Sequence, residues 1–167
     1  MDKNKFSPAL VAGFGAAVLT TVPGIKDFGC CLIVPLAAVL SLYLDHRINK
    51  TELPISGKKA VLFGLLTGLF AATFATFFDV LITYITHSNE FVNSLPQTEN
   101  MIQSSPLGPL LQQSLALLKQ MAAQIKSDGF SILYTIAMLI SNMFIDSIFG
   151  ILGGLLGMTF LNKRTQI

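Results

Sequence analysis

Asp79 stands in "ATFFDVLITYI", and Asn142 and Asp146 stand in "MLISNMFIDSIFGILGGLLG"; both stretches are otherwise oily. Asn142 and Asp146 are one helical turn apart, so a helix carries both on one face. A carboxyl group at the centre of a membrane helix costs about 3 kcal/mol on insertion scales. Acids placed there bind protons, cations or polar substrates, or form hydrogen bonds between helices. No lysine or arginine lies within the same apolar stretches to neutralise them. Asp79, Asn142 and Asp146 are therefore the candidate polar or proton site. The plainer alternative for each is an interhelical hydrogen bond close to an interface with water.

Other chemistry is thinly represented. His46 and His87 fall in predicted loops on opposite sides of the membrane and cannot share a site. The sequence holds no GxxxxGK phosphate loop, no serine elbow, no HExxH and no CxxC pair. No catalytic set, metal site or cofactor is expected. Asp45-His46-Arg47 reads as a solvated helix end. The adjacent Cys30 and Cys31 read as small apolar packing residues, with a redox or lipidation site as the alternative.

The elements that must position these residues are membrane helices. Of 167 residues, 52% are hydrophobic and only 12% charged, and the mean hydropathy is +0.65; a soluble domain of this size needs more polar surface. A net charge of +2 without a basic run argues against nucleic acid as a partner. A bilayer core of ~30 Å needs about 20 apolar residues. Four stretches qualify, at about 6–25, 28–44, 60–85 and 130–161. Pro35 is expected to kink the second. Lys3 and Lys5 before the first resemble a signal peptide, but no convincing cleavage site follows, so the segment is expected to be retained. Between the third and fourth, residues 87–128 form an external connection: a polar loop over 87–100, then an amphipathic helix starting near Ser104 and ended by Asp128 and Gly129. Its stripe of Leu107, Leu111, Leu115 or Ser114, Leu118, Met121, Ala122 and Ile125 suits the membrane surface or a place over the bundle. The expected fold is thus all-α, one membrane domain with four transmembrane helices and one external amphipathic helix.

Small residues recur on one face of each long span. Gly64, Gly68, Ala71 or Ala72, and Ala75 lead to Asp79; Asn142 and Asp146 lead to Gly150, Gly153 or Gly154, and Gly157. Gly13, Ala16, Ala17 and Thr20 form a third stripe. Such stripes allow close approach of helices in lipid, where dispersion and hydrogen bonds drive association. At 1.5 Å per residue, Asp79 lies about 28 Å along its span from Ala60, and Asp146 and Asn142 about 22 and 28 Å from Leu161. Asp79 and Asn142 are therefore expected to hydrogen-bond. "LVAGFGAAVLTTV" (10–22) and "LLTGLFAATFATF" (65–77) also align as a weak internal repeat.

The stretch "PGIKDFGCCLIVPLAAVLSLYLDHR" (23–47), followed by "GKKAVLFGLLTGLFAATF" and a closing Gly-Gly span, resembles small four-helix prokaryotic integral membrane proteins of unknown function. Ile33 and Pro35-Leu36-Ala37 stand where those proteins commonly carry a tryptophan and glycines. The resemblance implies a fold and a membrane location and brings no activity with it.

Two function classes follow. One is a non-enzymatic subunit or scaffold, embedded in the lipid bilayer as a homo-oligomer or part of a larger complex. The other is a transporter or channel element using Asp79 and Asp146. An enzyme is not expected, since no nucleophile and base stand together. Lysine and arginine set the orientation: eight of them (Lys3, Lys5, Arg47, Lys50, Lys58, Lys59, Lys163, Arg164) fall on one side of four alternating spans and three (Lys26, Lys119, Lys126) on the other. Both ends are expected in the cytoplasm of an inner or plasma membrane. A topology reporter fused after Lys163 should read cytoplasmic and one inserted near Gln97 external; the opposite pair of readings overturns the orientation.

Overall fold

The computed structural model describes residues 6–22, 24–26, 29–50, 53–106 and 108–163, with Cys30 and residues 108–109 as backbone only. Among the described residues the chain is all helical. The helices are α1 (Ser7–Thr20), α2 (Val34–Ile48), α3 (Gly57–Thr86), α4 (Glu90–Ser104), α5 (Gly108–Asp128) and α6 (Ile132–Lys163), and a π-helical turn, Gly29–Ile33, leads into α2. Three segments are long and apolar enough to cross a membrane: Cys31–Ile48, Gly57–Thr86 and Ile132–Lys163. α1 is apolar but has 14 residues, a rise of about 21 Å against a ~30 Å core. The chain divides into two compact units, residues 1–78 with 139–167, and residues 79–138.

The first unit is built on backbone contact. A Cβ placed on Gly64 would fall on the carbonyl of Gly150, one on Gly68 on the carbonyl of Asp146, and one on Gly154 on the carbonyl of Ala60. The partners descend on α6 as they ascend on α3, so the two helices are antiparallel and in contact over more than two turns. The next glycines on α6 face α2: Gly153 meets the backbone of Pro35, and Gly157 meets Val39 and Leu42. Here both numbers rise together, so α2 and α6 run parallel. α1 lies along α3 in parallel. Gly13 meets Thr67 and Phe70, and Phe6 and Phe14 pack on Phe63 and Phe74, with ring centroids 6.4 and 5.3 Å apart.

Size segregates between the inside and the outside of this unit. Ala9, Ala12, Ala16 and Ala17 are buried on α1, while Leu10, Val11, Phe14, Val18 and Leu19 are exposed. On α6 the buried face is Asp146, Gly150, Gly153, Gly154 and Gly157, and Phe144, Ile148, Leu152, Leu156 and Phe160 form an exposed row at every fourth residue. Water disfavours apolar rows of this extent. Lipid removes that cost and rewards small residues at helix contacts.

The second unit comprises residues 79–86 of α3, the helical hairpin of α4 and α5, and residues 132–138 of α6. The polar stretch expected as a loop is helix α4 for most of its length. Asn89 caps it, its Oδ1 accepting from the Val92 amide at 2.9 Å. Val92 is buried with Ala122 and Ile125 of α5, with Phe91 and Leu95 beside them. Of the α5 stripe expected to rest on lipid or on the bundle, Ala122 and Ile125 are thus buried against α4, Leu115 and Met121 are buried, Leu118 is half-buried and Leu111 is exposed; Leu107 lies outside the described residues. Sparse apolar residues and Pro96 disguised this helix, because only one narrow edge of it is covered. The expected helix stop holds: α5 ends at Asp128, and Gly129 takes φ +70°, with the Tyr84 carbonyl where a Cβ would sit.

Pro35 stands in the first turn of α2, directly after the π turn. A proline in a helix interior clashes with the carbonyl four residues back, and π turns are a recurrent irregularity within helices. Of the two cysteines, Cys31 is exposed, and the side chain of Cys30 lies outside the described residues.

The glycine contacts differ sharply from Gly15, whose Cβ position is open. Gly68→Leu should lower the stability of the detergent-solubilised protein by at least the ~1–3 kcal/mol typical of overpacking. Gly15→Leu should stay within about 0.5 kcal/mol of the parent, as exposed substitutions do. Thermal or SDS-titrated unfolding distinguishes the two, and equal losses would contradict the contact.

Candidate functional site

The three residues singled out in the sequence occupy different settings. Asn142 and Asp146 belong to the first unit and Asp79 to the second. Asn142 Nδ2 donates to Thr76 Oγ1 at 3.0 Å, and Thr76 is buried on α3. The amide expected to meet Asp79 thus meets a hydroxyl three residues before it. The antiparallel register explains this: Gly68 opposes Asp146, so one turn toward the α6 N-terminus Asn142 comes opposite residues 72–76. A hydrogen bond between membrane helices contributes about 0.6 kcal/mol on average, so this one tunes the α3–α6 pair without creating it.

Asp146 sits on the glycine face of α6 at 9% exposure. Its backbone carbonyl abuts Gly68. Its carboxyl group has no hydrogen-bond or ion-pair partner among the described residues. Most buried polar side chains have one, which sets Asp146 apart from the buried Asp45 and the half-buried Asp79.

Asp79 is half-buried on α3, and the Tyr134 hydroxyl donates to its Oδ2 at 3.2 Å. Tyr134 is held in turn by stacking on Phe91, with centroids 5.2 Å apart and planes 30° from parallel. Nearby, Ser131 Oγ donates to Gln124 Oε1 at 2.7 Å, and Asn89 Nδ2 donates to Thr83 Oγ1 at 3.4 Å. Asp79 thus belongs to a polar seam within the hairpin unit. The position of Tyr134 as a carboxylate partner is supported by Phe91 of α4.

A further acid escaped the sequence reading. Asp45, expected at a solvated helix end, is 1% exposed. Its carboxylate pairs with Lys59 Nζ at 2.6 Å and accepts from Asn49 Nδ2 at 2.8 Å. His46, expected in a loop, is in the last turn of α2 beside it. An acid near a helix C-terminus is disfavoured by the helix dipole, so Asp45 depends on the lysine in the first turn of α3. A second tie closes the same end: Asn162 Oδ1 accepts from the Ile55 amide at 2.8 Å, and its Nδ2 donates to the Ile55 carbonyl at 3.1 Å. The signal for Asp45 was present, since Val34, Ala38, Ser41 and Leu42 put position 45 on the buried face.

Among the described residues, no group of three or more His, Cys, Asp or Glu side chains is placed to hold a metal ion. Compared with family models, curated proteins and solved structures, the chain gives no match.

The Asp45–Lys59 pair makes a directional claim. Removing the lysine alone strands a buried carboxylate, which typically costs about 3–5 kcal/mol. Lys59→Met should fall at the low end of that range, because the lysine side chain is 28% exposed. Combining it with Asp45→Leu should recover most of the loss, since the penalty lies in the stranded charge. Unfolding of both variants measures this, and additive losses would show that the pair is uncoupled.

Proposed function

We propose that the protein is a non-enzymatic membrane subunit, a helical scaffold that works by assembling with a second copy or with a larger complex in the inner or plasma membrane. Four spans, α1 among them, carry both ends to the cytoplasm in this reading. The pairing of α1 with α3 supports counting it as a span despite its length, because Phe6 and Phe14 follow α3 from Phe63 to Phe74.

One observation carries the proposal: helix backbones meet directly where a conduit between α3, α6 and α2 would run. Gly64 and Gly68 close on Gly150 and Asp146, and Gly153 closes on Pro35. Two of the sequence's three candidate residues, Asn142 and Asp79, are engaged by neighbouring side chains. The exposed apolar rows leave the outside of the bundle to lipid or to another protein.

A second reading rests on Asp146 alone. A carboxyl group without a partner, beside a chain of glycines, suits a transport element that binds a proton, cation or polar substrate there. Asp146→Asn separates the readings, because it preserves shape and removes the acid. A subunit should purify from its own membrane in an assembly larger than the 18.0 kDa chain, and the variant should keep that assembly. A chain that runs as a monomer, and whose ion-driven flux in proteoliposomes is lost in the variant, would replace the first reading with the second.

A further inference from the structure

A groove of about 440 Å³ runs along the flank of the first unit between α2 and α6, lined by Leu36, Val39, Leu40, Tyr43, Phe160 and Leu161. Leu36, Leu40 and Phe160 are 58%, 47% and 65% exposed, so the groove opens sideways. From Leu36 to Tyr43 it follows α2 for about 10 Å, and apolar side chains dominate its lining. Polarity appears only at one end. Arg47, one turn beyond Tyr43, lies over the tyrosine ring at 5.5 Å from its centroid, and its Nε donates to the Tyr43 hydroxyl at 3.2 Å. These contacts hold the guanidinium beside Tyr43, and among the described residues they engage only its Nε. No carboxylate pairs with Arg47 among the described residues.

The parallel register of α2 and α6 brings a second cation to the same end. Gly153 lies against Pro35 and Gly157 against Val39, which puts residue 161 level with Tyr43 and Lys163 about level with Asp45. Lys163 is exposed. An apolar trough in a membrane-facing flank, capped by a fixed arginine with a lysine beside it, complements one kind of molecule: an amphiphile with an acyl chain and an anionic phosphate head. A soluble anion would leave the trough empty, and an apolar helix would leave the cations without a counter-charge.

We infer that this groove is a binding site for an anionic phospholipid, with an acyl chain along Leu36, Leu40 and Phe160 and its phosphate on the Arg47 guanidinium, steadied by Tyr43. Arginine suits the task because its planar fork engages phosphate oxygens in pairs. A zwitterionic lipid fills the trough equally but carries its own cation, so the site distinguishes the two by headgroup charge.

The chain contains no tryptophan, which gives a clean optical test. Phe160→Trp puts a single indole in the groove at an exposed aromatic position. The protein is reconstituted in neutral phosphatidylcholine with a fixed mole fraction of brominated phosphatidylglycerol or brominated phosphatidylcholine, and quenching gives the relative association of the two. A surface cation contributes about 1 kcal/mol, so F160W should favour the anionic lipid about five-fold. Adding Arg47→Gln should bring the ratio close to one; Arg47 is exposed, so this change should not unfold the protein. Phe144→Trp, on the same exposed row of α6 but away from the groove, should give a ratio near one throughout. Glycerol phosphate in the buffer should leave the quenching unchanged.

Equal quenching of F160W by both lipids overturns the proposal, as does a preference that survives Arg47→Gln or appears equally at position 144. An F160W indole that neither lipid quenches means that a protein segment or second copy fills the groove, and also overturns it. Loss of the preference on adding glycerol phosphate would reduce the site to a headgroup patch and refute a role for the trough.

Discussion

The contact between the backbones of α3 and α6 is the constraint on which the first unit depends. Two helices can touch in this way only where at least one of them lacks a Cβ at each contact: Gly64 meets Gly150, Gly68 meets Asp146 and Gly154 meets Ala60. In lipid there is no gain from hiding apolar surface, so dispersion over a close approach must hold the helices together. Close approach also sets register without a tight polar lock. Once Gly68 opposes Asp146 and Gly64 opposes Gly150, Asn142 has Thr76 within reach. The hydrogen bond follows from the packing.

The same contact explains why α6 is rich in glycine toward its C-terminus. Gly150 and Gly154 serve α3, while Gly153 and Gly157, about a quarter-turn away, serve α2. One helix thus joins two neighbours of opposite direction. Phe144, Ile148, Leu152, Leu156 and Phe160 remain on the side that neither neighbour covers. The inversion of size between inside and outside therefore follows from where the glycines stand.

Much of this was readable before any coordinates. A period of three to four in the small residues identified the faces of α3 and α6 that meet, because membrane packing writes itself in residue size. Less local features were harder to read. Helix α4 was hidden because its polar residues outnumber the few, Val92 and Leu95 among them, that pack on α5, and a segment with one narrow covered edge has the composition of a loop. Asp45 was misjudged because charge at a helix end ordinarily means solvent; its burial depends on Lys59, fourteen positions away across a turn. Tyr134 became a partner of Asp79 through Phe91, a residue of the helix that was missed. Each error concerns a contact made by a residue distant in the chain, for which local periodicity has no term.

The buried and half-buried acids differ in how the fold accommodates them, and the difference bears on function. Asp45 is neutralised by a lysine and secured by Asn49. Asp79 accepts from a tyrosine that is fixed by stacking. Both arrangements tie a charged or polar group to a second helix. Asp146 has no such tie among the described residues, although it sits on the glycine face of α6. Its backbone already does the packing through Gly68, so an alanine at that position would satisfy the same geometry without the cost of a carboxyl group in hydrocarbon. The carboxyl therefore adds nothing to the helix contact within a single chain. The subunit reading would put a donor from a partner helix beside it, and the transport reading a proton or cation. Asp146, and neither Asp79 nor Asn142, is consequently the position at which the subunit and transport readings diverge.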